Sequence, residues 1–184
     1  QPINLNETSM NFNLKTIIIS LCCFMIITQE AYANQTTLKN HSSGYVQVKQ
    51  GKLFYQRYGS GSPIVILHGG PGLDQNYLQP GMLELAANHT VIFYDQRGSG
   101  KSLETKLAAD HMNIKQFTED LEALRIELGL NDIIILGHSW GGFLAMNYII
   151  HYPKHVSKLI LLSTAPANFK GQQAFLNEFI KRTN

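Results

Sequence analysis

Ser139 is the residue of this 184-residue chain best set to act as a nucleophile. It lies in Gly137-His138-Ser139-Trp140-Gly141, directly behind the apolar run Ile133-Ile134-Ile135-Leu136. A free serine hydroxyl is a weak nucleophile and needs activation. The pattern glycine-x-serine-x-glycine between a strand and a helix lifts the hydroxyl clear of the sheet, where a base and a substrate can reach it. A second cluster, His68-Gly69-Gly70-Pro71-Gly72, follows the apolar run Ile64 to Leu67. Glycines there let a backbone amide face a ligand unobstructed. Acyl transfer builds negative charge on an oxygen, and two amides must converge on it. The expected pair is the N–H of Gly70 and the N–H of Trp140, the residue after the serine. Pro71 has no N–H to offer. Alone, the first cluster also reads as a plain glycine-rich turn; beside the second, in this order, it reads as half of an oxyanion hole.

A third cluster, Tyr94-Asp95-Gln96-Arg97-Gly98-Ser99-Gly100-Lys101-Ser102, ends like a phosphate loop. That loop requires glycine five positions before Gly100, and Asp95 stands there, so nucleotide binding is rejected. Asp95 and Arg97 are expected to brace loops beside the serine through charge-assisted hydrogen bonds. His68 and His138 are expected to be structural hydrogen-bonding residues, with Gly69, Pro71 and Gly72 shaping the loop. His151 and His155 lie on or after the helix leading away from Ser139, about 15 Å off for three turns, and neither is assigned as base. No histidine pair has metal-binding spacing, so neither metal nor cofactor is expected. After Ser139 the chain carries no aspartate, one glutamate (Glu178) and two histidines. An acid and a base to follow the serine are therefore missing from the expected place.

The elements that must position these residues follow from periodicity. Tyr45 to Val48 and Leu53 to Tyr58 read as a hairpin turning at Gly51-Lys52. Ile64 to Leu67, Thr90 to Tyr94 and Ile133 to Leu136 read as strands buried on both faces, and Lys158 to Ser163 as a further strand. Tyr77 to Ala87, Ile114 to Leu128 with a stop at Gly129, Phe143 to Tyr152 closed by Pro153, and Phe169 to Lys181 read as helices. A hairpin followed by strand–helix alternation predicts an α/β fold: a mostly parallel sheet with helices on both faces.

Composition agrees. Hydrophobic content of 44% and 15 glycines fit a globular protein. The net charge of +2 is scattered, which argues against a nucleic-acid partner. Residues 1–33 read as a leader: Met10 as the start, Lys15 as the positive flank, Ile17 to Ile27 as the apolar run and Ala31-Tyr32-Ala33 as the cleavage site. The run is too short for a membrane span, the competing reading. Export, to a periplasm or outside the cell, is the expectation, with no membrane attachment after cleavage. Cys22 and Cys23 both fall in the leader, leaving no disulfide in the mature chain. Residues 34–43 read as a linker, 44–166 as a partial core and 167–184 as the start of a cap helix.

On these three clusters the chain resembles the α/β-hydrolase superfamily and, more narrowly, is similar to the proline iminopeptidases, over roughly Tyr45 to Ala165. The resemblance implies a serine aminopeptidase: Ser139 attacks a carbonyl, a histidine takes its proton and an acid orients that histidine. In the superfamily the acid and then the histidine follow the serine, on later strands. The expectation is therefore a chain shortened at its C-terminal end, weak or inactive alone, whose family substrate is a small peptide. A carboxylesterase or lactonase on the same scaffold, and a non-catalytic protein that kept only the fold, stay open.

Overall fold

The computed structural model describes residues 41–70, 72–103, 111–164, 166 and 171. The expected leader, and the expected cap helix apart from Gly171, lie outside them.

Among the described residues, six strands form one sheet: β1 (Ser42–Val48), β2 (Gly51–Tyr58), β3 (Ser62–Leu67), β4 (His89–Tyr94), β5 (Ile133–His138) and β6 (Val156–Leu162). Their order is β1-β2-β4-β3-β5-β6. The β1/β2 and β2/β4 pairs are antiparallel, and the β3/β4, β3/β5 and β5/β6 pairs are parallel. From β3 the chain steps to β4 on one side, then crosses back to β5 on the other. Open α/β sheets form a crevice at such a reversal, outside the carboxyl ends of the strands.

The apolar strands bury both faces, and alternation sorts their side chains into two cores. Val65, Leu67, Ile92, Tyr94, Ile133 and Ile135 face one core. Ile64, Ile66, Val91, Phe93, Ile134 and Leu136 face the other. Two long helices close the first: α2 (Ile114–Glu127), through Phe117, Leu121 and Leu124, and α3 (Trp140–His151), through Leu144, Ala145 and Tyr148. Asn113 caps the start of α2, its side chain accepting the Gln116 N–H at 3.0 Å. Gly129 ends it with φ +66°, while the Leu130 N–H reaches back to the Arg125 carbonyl at 3.0 Å. That is the left-handed stop expected of a glycine after a helix.

Three details depart from the sequence reading. Ser42 and Ser43 pair with Arg57 and Gln56, so β1 starts inside the segment read as linker. Its backbone needs only a neighbouring ladder there, not apolar side chains. The hairpin turns at Lys49-Gln50, with Val48 opposite Gly51 and Gln50 at φ 73°. Tyr77 to Ala87 is not one helix. It is a 3₁₀ turn (Gln75–Tyr77), a single α turn, α1 (Gln79–Met82), and a second 3₁₀ stretch (Leu83–Ala87). Pro80 cannot donate a helix hydrogen bond and Gly81 weakens the turn, so the segment follows its burial rather than one helical period. Leu78 and Ala86 enter the second core, with Met82, Leu83 and Leu85 packed against it.

Among the described residues β6 pairs with β5 alone, and Ile160, Leu161 and Leu162 are 44%, 44% and 40% exposed.

Candidate active site

Three loops leave the carboxyl ends of β3, β4 and β5, and they carry the three clusters. Register brings two together directly, because Leu67 at the end of β3 lies beside Gly137 of β5.

Ser139 sits between β5 and α3 with φ 52° and ψ −116°. An L-residue rarely holds that conformation, and a strained φ at such a place is a mark of function. The neighbours over-determine it. The Ser139 N–H donates to the Leu162 carbonyl at 3.0 Å, and the Ser139 carbonyl accepts from the N–H groups of Gly142 and Phe143 at 3.0 and 3.3 Å. The flanking glycines leave no room for a side chain. A Cβ on Gly137 would stand 2.5 Å from the Gly141 carbonyl oxygen; one on Gly141 would strike the Leu67 carbonyl, and one on Gly142 the Thr164 side chain. The turn therefore lies flat on the end of β3.

The glycine loop after β3 leans on this turn. A Cβ at Gly69 would be 3.3 Å from the Ser139 Cβ and 3.1 Å from His138 Nδ1. Gly70 has φ +113° and Gly72 φ +98°, conformations that favour glycine. Around Gly70 a side chain would also meet the Leu73 nitrogen at 2.9 Å, whereas nothing stands within 4 Å of one at Gly72. Pro71 lies outside the described residues. Among the described residues, no acceptor is hydrogen-bonded to the N–H of Gly70 or of Trp140. The latter belongs to the first turn of α3, whose amides are unsatisfied by the helix itself.

His68 is 1% exposed and both of its nitrogens are engaged. The Gln96 N–H donates to Nε2 at 3.0 Å, so Nδ1 carries the proton and donates to the Gly69 carbonyl at 2.7 Å. Burial holds this imidazole below its ordinary range, against the pull of the Gly69 bond and of the Asp95 and Asp74 charges. His68 is thus a neutral strut. His138 is also committed, with Nδ1 2.7 Å from the Tyr77 hydroxyl. Among the described residues no base is hydrogen-bonded to the Ser139 hydroxyl.

Asp95 and Arg97 each hold neighbouring segments through charged hydrogen bonds. The Asp95 carboxylate accepts from the backbone N–H of Gln75 at 3.0 Å and of Lys101 at 2.8 Å. It also fills the space a Cβ on Gly100 would need. A loop amide that a phosphate would require is therefore already held by the protein's own carboxylate. Arg97 makes a bidentate pair with Asp120 of α2 at 2.7 and 2.6 Å. Burial pushes the Asp120 carboxyl up, and the Arg97 guanidinium opposes that shift.

Sequence reasoning missed three residues. Gln96 donates through its side chain to the His68 carbonyl at 2.7 Å and accepts the Trp140 indole N–H at 3.0 Å. Tyr77 accepts the Gly69 N–H at 2.7 Å. Asp120 is buried on α2 between Phe117 and Leu121. Only Asp120 left a signal: a carboxylate on the apolar stripe of a helix requires a buried partner.

The alpha/beta hydrolase fold family model matches residues 62–182. The chain belongs to that family. It is 36% identical over 126 residues to a proline iminopeptidase of Heyndrickxia coagulans, covering 67% of this chain and 43% of that protein. A proline iminopeptidase of Clostridium botulinum is 40% identical over 133 residues, covering 68% of this chain and 44% of the relative. Among solved structures, a proline iminopeptidase-related protein of Thermus thermophilus superposes with TM-score 0.65 at 30% identity, covering 68% of this chain and 45% of that one. An esterase from Exiguobacterium antarcticum superposes with TM-score 0.57 at 29% identity, covering 67% and 46%. The chain thus spans less than half the length of these relatives.

Proposed function

We propose that this chain carries the nucleophile half of a serine hydrolase of the proline iminopeptidase type, exported through its leader and acting on small peptides. The observation that carries the reading is Ser139, held at φ 52° on a turn against which the glycine loop packs. Ser139 Oγ attacks the carbonyl of an N-terminal proline or similar residue. A base takes the hydroxyl proton, and the carbonyl oxygen becomes an anion held by the N–H groups of Gly70 and Trp140. The C–N bond then breaks, the leaving amine takes the proton, and water hydrolyses the ester on Ser139.

His68 and His138 are both committed elsewhere, so the base is neither of them. We place it, with its orienting acid, in the part of the relatives that this chain does not cover. The 184-residue chain alone then turns over little substrate, since loss of triad members costs about a million-fold in subtilisin.

The test uses a polypeptide completed with the remainder of the fold, assayed on N-terminal-proline amides and on short acyl esters. Proline-amide cleavage that Ser139→Ala abolishes supports the reading. Cleavage of esters alone overturns the peptidase assignment in favour of an ester hydrolase, the reading that the esterase superposition favours. Activity or fluorophosphonate labelling that survives Ser139→Ala overturns both.

A further inference from the structure

We infer that Tyr77 is a positioning residue for the Ser139 chemistry, tying the glycine loop to the serine turn and selecting which loop amide stays free. The inference rests on the serine-hydrolase reading above. The Tyr77 hydroxyl lies 2.7 Å from the Gly69 nitrogen and 2.7 Å from His138 Nδ1. Gly69 begins the loop after His68, and His138 immediately precedes Ser139. One oxygen therefore bridges the two segments whose spacing sets the oxyanion site.

Proton counting fixes the direction of one bond. The Gly69 N–H can only donate, so the phenol oxygen accepts it. The bond to His138 runs either way: the phenol donates to Nδ1 when His138 carries its proton on Nε2, and its second lone pair accepts from Nδ1 in the other tautomer. With the Gly69 N–H consumed by Tyr77, the Gly70 N–H is the loop's next donor, and Gly70 is turned by its φ of +113°. The site is tightly set: a Cβ on Gly69 would be 3.0 Å from the Tyr77 oxygen and 3.3 Å from the Ser139 Cβ. The Tyr77 and His138 rings meet edge to face, with centroids 5.6 Å apart.

Tyr77 is itself delivered by an anchored turn. Asp74 accepts the Asn76 N–H at 2.9 Å, and the Gln75 N–H donates to Asp95 at 3.0 Å. The hydroxyl is thus fixed relative to the β4 loop as well. Misplacing groups by about 1 Å at a reacting centre costs on the order of a hundredfold in rate.

Tyr77→Phe tests this, because it deletes the hydroxyl and keeps the ring that packs edge to face on His138. In the polypeptide completed as above, kcat should fall about tenfold to a hundredfold with KM within about twofold, and fluorophosphonate labelling should slow in parallel. Imidazole ¹⁵N spectra of the 184-residue chain should show the His138 Nδ1 signal shifting on Tyr77→Phe, whichever nitrogen carries the proton. Wild-type kcat in the variant, a change confined to KM, or an unmoved Nδ1 signal would overturn the inference. Catalysis that persists in Ser139→Ala signals instead that the hydrolase reading has failed; the His138 spectrum does not depend on that reading.

Discussion

The Trp140 indole N–H donates to the Gln96 side-chain oxygen at 3.0 Å, joining the helix behind Ser139 to the loop after β4. The same glutamine side chain donates to the His68 carbonyl at 2.7 Å, and its backbone N–H donates to His68 Nε2. Gln96 is 2% exposed, so neither side-chain bond has water as a substitute. Gln96→Met keeps the volume and deletes both. It should cost about 2–4 kcal/mol by urea denaturation, since two buried groups lose their partners. Trp140 is the only tryptophan of the chain, so its emission reads the site directly. An unchanged emission maximum in Gln96→Met would show that the indole bond is absent in solution.

Ser139→Gly should separate stability from catalysis. The serine holds φ 52° and ψ −116°, which glycine adopts without strain. The variant should gain about 1 kcal/mol in thermal or urea denaturation while losing the hydroxyl on which the proposed reaction depends. A destabilised variant would mean that the turn is relaxed.

The glycines at the turn should tolerate alanine unequally. Gly141→Ala drives a methyl into the Leu67 carbonyl, a backbone atom that cannot step aside, and should cost at least about 3 kcal/mol. Gly72→Ala meets nothing within 4 Å and suffers only its φ of +98°, a cost of about 1–2 kcal/mol. Soluble yield and melting temperature rank the two, and equal losses would contradict the packing described.

Stability should fall on the acid side of neutrality because of His68. Burial lowers its pKa from the ordinary 6.5, so in the window between the folded value and 6.5 the unfolded chain binds the extra proton. The contribution is full above 6.5 and is lost as pH falls through that window. Urea midpoints measured across it should decline with acidification, and His68→Asn should flatten the decline. An equal slope in the variant would assign the effect to other groups.

Breaking the Arg97–Asp120 pair from one side should be severe. The two side chains are 0% and 3% exposed. Arg97→Met leaves a buried, unpaired carboxylate and should cost about 3–5 kcal/mol, whereas Arg97→Met with Asp120→Leu should recover most of the loss. A double variant no better than the single one would show that the guanidinium's bonds to the His111 and Lys49 carbonyls matter more than its charge partner.

Local patterning alone carried the strands of the sheet. Ile64 to Leu67, Val91 to Tyr94 and Ile133 to Leu136 are apolar without interruption, and runs this short suit strands covered on both sides. The stop at Gly129 and the serine turn were equally legible, because each depends on the backbone freedom of a few adjacent residues. Spacing failed at Tyr77 to Ala87, where apolar positions suited a helix but Pro80 and Gly81 broke it, and at Ser42-Ser43, where pairing with β2 overrode composition. The roles of Tyr77 and Gln96 became visible only in three dimensions, and so did the identity of the partner that Asp120 required. Their partners lie 61, 44 and 23 residues away along the chain, and no local pattern encodes a hydrogen bond closed by the crossing of strands. Sequence determined which chemical groups stand at the ends of β3, β4 and β5; tertiary structure decided which of them are spent holding one another, because a donor or a ring nitrogen already bonded is no longer free for a substrate.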